Sequence, residues 1–438
     1  MTMAFLAKVI ASETISECYK AICDNEGVTI NPFVLENLER TTATRSFTLN
    51  LAGNRKQKGF PRLTDNDALA LSKCLLNYPT LTGLDMGYHN ISDEGAAYLA
   101  KLLEAQDMML RSLDLTFNNI ETNGAEVLAS SLQGNSSLLS LRLSGNKIGR
   151  NGGLKLAGML RVNMTLQELE LGECDLEMHS MIDLSTALKN NTTLRSVDMS
   201  RALLFSLLEE WAVHFSKMLP VNSTLVELHL GKMGLTDTGM ERLSEGLKLN
   251  HRLRYLDLRC NLVSRDGALH LSKVLKENCP LEVIDLSSNR IEDPGAEYLS
   301  EAICCEGSVL RELSVCRNNI GTRGLLSLAQ ALNDSSTLTH IYIWGNHLEE
   351  PVCQAFRELL SIGRLTPEQT DVRPYEVDGH VFLAELFHRL RKHLFFIDDN
   401  EQDAGSSPTT AAIKHSVKQF HQRKWEHIYI QKGRNVKE

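Results

Sequence analysis

Apolar residues recur along this chain in one arrangement: LRSLDLTFNNI from Leu110, LLSLRLSGNKI from Leu138, LRYLDLRCNLV from Leu253, LEVIDLSSNRI from Leu281 and LRELSVCRNNI from Leu310. Around the central LxL, apolar and polar positions alternate at period 2, which predicts a short strand with one buried face. Further on the period changes to 3.6, as in GAEVLASSLQGN (124–135) and GALHLSKVLKEN (267–278). That spacing predicts amphipathic helices about three turns long. Copies begin at Leu81, Leu110, Leu138, Leu166, Leu194, Leu225, Leu253, Leu281, Leu310 and Leu338, and a degenerate one precedes them at Leu49 and Leu51 with Asn54.

The Asn that ends each strand motif (Asn118, Asn146, Asn261, Asn289, Asn318, Asn346) stands where the chain must turn inward. A buried amide can pair there with backbone groups that the turn leaves without partners. Cys174 takes that place in the fourth copy. Six residues later comes a Gly (Gly95, Gly124, Gly152, Gly239, Gly267, Gly295, Gly324), which suggests close packing where each helix starts. One strand–helix unit cannot bury its apolar face alone, but stacked units can. Strands are spaced at about 4.8 Å and helices are about 10 Å across, so such a stack must curve with its strands inside. The expected fold is α/β: a right-handed curved solenoid of about eleven repeats, parallel strands on the concave face and helices on the convex face. LxxLxLxxN/CxL with units of about 28 residues resembles the ribonuclease-inhibitor-like leucine-rich-repeat subfamily over about residues 46–363. The resemblance implies a horseshoe fold. For function it implies only a range: inhibitors, GTPase activators, immune sensors and axonemal regulatory subunits.

Four regions follow: a helical N-terminal cap (1–45), the repeats (46–363), a C-terminal cap (364–398), and a linker with a basic tail (399–438). The cap segment VRPYEVDGHVFLAEL (372–386) predicts a hairpin, because Asp378-Gly379 is flanked by alternating apolar residues. With LRKH at 390–393, it resembles one vertebrate member of the subfamily. The linker reads DNEQDAGSSPTTAA, and the tail carries Lys414, Lys418, Arg423, Lys424, Lys432, Arg434 and Lys437. The rhythm breaks twice. NRKQKGFP (54–61) is an insert, and the fifth repeat has Ala202 for Asn and a period of about 31. There LLFSLLEEWAVHFSKMLPVN predicts a longer helix, or an exposed apolar patch around Trp211 for a second partner.

The formal charge of −9 does not mark a nucleic-acid binder, so nucleic acid is expected only through the basic tail. None of the ten cysteines sits in a CxxC pair or at zinc spacing with His, so free thiols are expected. The N-terminal apolar run is broken by Lys8, and no run reaches the ~20 residues that a spanning helix needs. An intracellular chain is therefore expected. The Asn-x-Ser/Thr sites at Asn135, Asn163, Asn190, Asn191, Asn222 and Asn333 read as turn chemistry rather than glycosylation. No phosphate loop, HExxH or GxSxG is present. No catalytic residue, cofactor, metal or small-molecule substrate is expected.

The informative positions are the outward ones on the strands. The residue between the last two leucine-type positions runs Asp85, Asp114, Arg142, Glu170, Asp198, His229, Asp257, Asp285, Ser314, Tyr342. Six of these ten are acidic, which predicts a negative stripe and a basic protein partner. Just after the strand come Arg259, Arg317 and Trp344. Exposed aromatics beside Arg are typical interface anchors. The expected partner-binding set is therefore Tyr342, Trp344, Arg259, Arg317, Asp257, Asp285, Asp198 and Glu170, with a C-terminal cap over the two aromatics as the rival reading. The expected function is a non-enzymatic protein-interaction scaffold. Alternatives are an axonemal scaffold and an activator of a small GTPase of the Ran GTPase-activating type. That type carries an acidic C-terminal segment, whereas this chain ends in a basic one. The resemblance implies a nuclear or nucleolar pool, with the cytoplasm and the axoneme as other locations.

Overall fold

A computed structural model describes residues 14–41, 46–54, 61–204, 209–277, 279–387 and 390. The chain divides into two units, Met1–Ile397 and Asp398–Glu438. The linker and basic tail lie outside the described residues, as do most of the insert (55–60) and the start of the N-terminal region (1–13).

Two helices, α1 (Ile15–Glu26) and α2 (Pro32–Arg40), precede the repeats. A capping box between Thr14 and Glu17 starts α1. Its buried Tyr19 and Ile22, with Phe33, Val34 and Leu38 of α2, join the core of the first repeat. The expected solenoid follows. Eleven strands form one sheet in chain order. They are β1 (Phe47–Asn50), β2 (Leu81–Asp85), β3 (Ser112–Asp114), β4 (Ser140–Arg142), β5 (Glu168–Glu170), β6 (Ser196–Asp198), β7 (Glu227–His229), β8 (Tyr255–Asp257), β9 (Val283–Asp285), β10 (Glu312–Ser314) and β11 (His340–Tyr342). All ten pairings are parallel. Helices from α3 (Asp65–Leu75) to α13 (Glu350–Ser361) alternate with them, and one continuous apolar core separates the layers.

Buried amides tie the repeats together at two bends. At the bend after each strand, Asn289 Nδ2 donates to the carbonyls of Leu258 and Leu286, each at 2.9 Å, and Oδ1 accepts from the Val263 N–H at 3.1 Å. Asn146 and Asn261 do the same one repeat at a time. Cys174 keeps one part of this role, its thiol donating to the Leu143 carbonyl. In the first full repeat the position belongs to His89, which the motif does not reveal. Its Nδ1 accepts from the Leu63 N–H, and its Nε2 lies 2.6 Å from the Leu51 carbonyl. A second amide ladder runs where helices end. Asn163 Nδ2 donates to the Leu132 carbonyl, and Oδ1 accepts from the Thr165 and Leu166 N–H groups. Asn191, Asn222 and Asn250 repeat the pattern. Three of the apparent glycosylation sites (Asn163, Asn191, Asn222) thus have buried amides already in use.

The recurrent Gly has an equally specific cause. Asp237 accepts from the N–H groups of Ser264 and Gly267 in the next repeat. A Cβ on Gly267 would lie 2.6 Å from the Asp237 carboxylate and 2.7 Å from Val263. Gly95 and Asp65 show the same approach.

The fifth repeat departs from expectation. Helix α8 spans Glu210–Met218, only 9 residues, so it is shorter than most of its neighbours rather than longer. Trp211 stands where the next repeat has Gly239, and it is 1% exposed. Its ring packs edge-on to Phe215, with centroids 5.9 Å apart. Trp211 therefore fills the core and offers no patch to a second partner. Phe205, Leu207 and Leu208, counted in that patch, lie outside the described residues, and Leu203 is 40% exposed.

Beyond α13 the last strand is closed off. Thr370 bridges Ile341, and the Asp371 carboxylate accepts from the N–H groups of Ile343 and Trp344 at 2.9 and 3.0 Å. A twelfth strand would have taken the first of these groups, and in other repeats an Asp two residues back takes the second, where this repeat has Tyr342. The hairpin β12 (Val372–Val377) and β13 (His380–Glu385) then turns at Asp378 and Gly379, both with positive φ as a type I′ turn requires. It buries Val372, Val381 and Leu383.

Asn289→Ala and Asn163→Ala should each cost about 1–3 kcal/mol, because buried backbone groups lose their partner. Asn190→Ala, at an exposed position, should stay within about 0.5 kcal/mol. Urea midpoints of the three variants check this.

Candidate protein-binding surface

The expected stripe lies in one register across the sheet. Asp85, Asp114, Arg142, Glu170, Asp198, His229, Asp257, Asp285, Ser314 and Tyr342 pair strand by strand. A second row, two residues earlier, shares the face: Ser140, Glu168, Ser196, Glu227, Tyr255, Val283, Glu312 and His340. The leucine spacing draws attention to the position between the leucines. Period-2 alternation carried one step back would have found Glu168, Glu227 and Glu312 as well.

The face is more buried than a solvated stripe. Glu170 is 5% exposed, Asp257 1% and Asp285 7%. Part of the reason is local. Asp85, Asp114, Asp198, Asp257 and Asp285 each accept from the backbone N–H two residues on, which closes the turn after the strand. These acids are turn residues as well as charges.

Basic groups offset them in two places. Arg142 lies 3.0 Å from Glu168, 3.5 Å from Glu170 and 3.9 Å from Asp114. Further along, His229 sits between Asp257 (3.5 Å) and Glu227 (3.6 Å), with the Tyr255 ring 4.9 Å away. Burial opposes the imidazolium, but hydrogen bonds to Asp257 and Glu227 outweigh it and push His229 up to about 9. Arg259 reaches Asp257 at 3.1 Å. Burial and the neighbouring Asp257 raise the carboxyl of Asp285 above its ordinary range. Two adjacent carboxylates in a poorly hydrated row disfavour each other's charge.

The aromatic end differs from expectation. Tyr342 is 3% exposed and belongs to the buried row, so it is not an exposed anchor. Trp344 is half-buried and packs against the core. The segment carrying Thr370 and Asp371 lies against this strand, as the rival reading had it. Arg259 and Arg317 do stand exposed. At the other end Tyr88 and Phe117 stack, with ring centroids 4.8 Å apart and Phe117 39% exposed. Both have left-handed backbone, as do Glu173, Arg201 and Lys232 at the same repeat position.

With this geometry in place, comparison with known proteins decides the family. The Leucine Rich repeat family model matches residues 79–100, 106–129, 134–157 and 277–300. The chain is 53% identical over 384 residues to human leucine-rich repeat-containing protein 34, covering 86% of this chain and 82% of the relative. The rat and mouse proteins of that name are 49% and 44% identical, each over 88% of this chain and 94% of their own length. The chain belongs to the leucine-rich repeat-containing protein 34 family. This is the vertebrate member that the C-terminal cap motif resembles. Among solved structures, an internalin from Listeria monocytogenes aligns with a TM-score of 0.42 at 17% identity, over 80% of this chain and 93% of its own. Among the described residues of this family member, no three His, Cys, Asp or Glu side chains are grouped to hold a metal, and no helix is long and apolar enough to cross a membrane. All ten cysteines are free.

His229→Gln tests the central charge. A folded pKa above the ordinary 6.5 means that charged His229 stabilises fully below about pH 6.5, and that this is lost as pH rises through about 9. The urea midpoint gap between wild type and variant should therefore be widest near pH 6 and narrow toward pH 10. A constant gap would show that folding leaves the His229 pKa unshifted. Asp285→Asn, which keeps the oxygen that the Ser287 N–H needs, should raise the midpoint near neutral pH.

Proposed function

We propose that this leucine-rich-repeat protein is a non-enzymatic scaffold that binds a basic protein partner across its sheet face. One observation carries the reading. Across β2 to β10, nine acids (Asp85, Asp114, Glu168, Glu170, Asp198, Glu227, Asp257, Asp285 and Glu312) share the face with the cations Arg142 and Arg259 and a charged His229, and His340 of β11 lies 4.0 Å from Glu312. Low-dielectric walls beneath such a face concentrate its field and speed the approach of a basic partner. Glu170, Asp198, Asp257 and Asp285 supply the attraction. Arg259 and Arg317 donate directional hydrogen bonds, and Trp344 gives apolar contact. Tyr342, being buried, supports Trp344's strand and does not touch the partner. The proposed partner is a nuclear or nucleolar basic protein, and a ciliary one is the alternative outcome of the same experiment.

The experiment is quantitative affinity purification with wild type, Trp344→Ala, and an Asp114→Asn/Asp198→Asn/Asp285→Asn triple variant. The Asn changes keep the turn-closing oxygens and remove three charges. Basic proteins should be retained by wild type and released at lower salt by the triple variant, mainly through slower association. Trp344→Ala should weaken the leading partner by about 30-fold, as loss of ~2 kcal/mol does. Identical retention by all three folded proteins would place the interaction elsewhere.

A further inference from the structure

The large exposed apolar side chains mostly avoid the sheet face. Four of them crowd one edge, where helices end and strands begin: Val162 (53% exposed), Met164 (65%), Val221 (60%) and Leu249 (61%). The second amide ladder sets their register. Asn163, Asn191, Asn222 and Asn250 stack one repeat apart. Val162, Asn190, Val221 and Leu249, each one residue earlier, therefore form a row along the edge. Beside this row lies a groove of ≈ 270 Å³, lined by Leu139, Met164, Thr193, Arg195, Thr224 and Arg252, with Thr165, Gln167 and Thr192 completing it. No carboxylate lines the groove, whereas Arg195 and Arg252 do, and both are exposed. The groove lining thus opposes the sheet face in charge.

We propose that this edge docks an acidic, apolar-flanked segment of a protein partner. The guanidinium forks of Arg195 and Arg252 suit carboxylates in two-point contact, and the threonine hydroxyls suit the backbone of an extended chain. Met164, Val221 and Leu249 take its apolar side chains. Arg195 and Arg252 lie two repeats apart, and each step spans about 5 Å at the strands and about 10 Å at the helices. An extended chain rises about 3.3 Å per residue, so the two carboxylates sit about three to six residues apart in the docked segment. The proposal is independent of a basic partner on the sheet face, since the two surfaces select opposite charge.

The probe is a set of fluorescein-labelled synthetic peptides of about 12 residues. One family carries two Asp, three to six residues apart, among Leu and Phe. A matched family has Lys in place of Asp. Anisotropy is read against the full chain. The Asp family should bind about tenfold or more tightly than the Lys family. Arg195→Glu/Arg252→Glu should abolish that preference, and Met164→Asp should weaken the Asp family by a similar factor. The triple Asn variant of the sheet face should leave it unchanged, which separates this surface from the other. No preference, a preference for Lys, or Asp-family binding that survives the Arg reversals in a protein still folded by circular dichroism would overturn the proposal. So would the absence of peptide binding together with self-association in sedimentation that Met164→Asp abolishes, since the edge would then be covered by a second copy.

Discussion

A buried amide at most of the bends is the constraint on which the stack depends. A strand–helix unit turns sharply twice, and at each turn backbone carbonyls and N–H groups face the neighbouring unit instead of water. Buried groups left in that condition would cost about 1–3 kcal/mol apiece, a large fraction of the stability of a typical domain. One side chain that both donates and accepts solves the problem across two repeats at once. Asn289 links Leu258 with its own strand end, and Asn163 links Leu132 with the start of the next strand motif at Leu166. The same need explains two of the exceptions, whereas Ala202 and Met233 stand at that position without a comparable polar group. His89 has one nitrogen for each role, while the Cys174 thiol donates to the Leu143 carbonyl.

The sheet face inherits its chemistry from this frame. The turn after each strand needs an acceptor, and Asp at the strand end supplies one in five repeats. Parallel pairing then stacks those carboxylates, so a local turn preference becomes a long charged surface. Stacking also sets its limits. Neighbouring acids bury one another, and cations interleave where acids crowd: Arg142 among Asp114, Glu168 and Glu170, and His229 between Glu227 and Asp257. Loss of one member of such a buried set leaves the others uncompensated, which costs more than the pair contributes.

Several features were legible in the sequence because their causes are local and repeated. Period 2 gave way to 3.6 ten times over, the Asn and Gly positions recurred at fixed offsets, and Asp378-Gly379 marked a turn. Others were not legible. Trp211 read as a surface patch because its helix looked over-rich in apolar residues, yet it stands where the next repeat has Gly239 and is buried in the core. Tyr342 read as exposed because its strand position faces outward, but the Thr370–Asp371 segment lies nearly thirty residues away in sequence and against that strand in space. The edge groove escaped notice because Met164, Arg195 and Arg252 belong to three different repeats.

The sequence by itself determined the fold, the order of the strands, the register of the acidic row and the recurrent Asn residues that close most strand bends, since every one of these follows from a short pattern multiplied by a constant period. Only the tertiary structure decided which outward-facing side chains meet solvent. It buried Tyr342 and Asp257, exposed Met164 and Leu249, and held His229 in its charged form. The physical reason is that exposure and ionisation depend on what the neighbouring repeat and the terminal caps place within a few ångströms, and those neighbours are about 28 residues or more away along the chain.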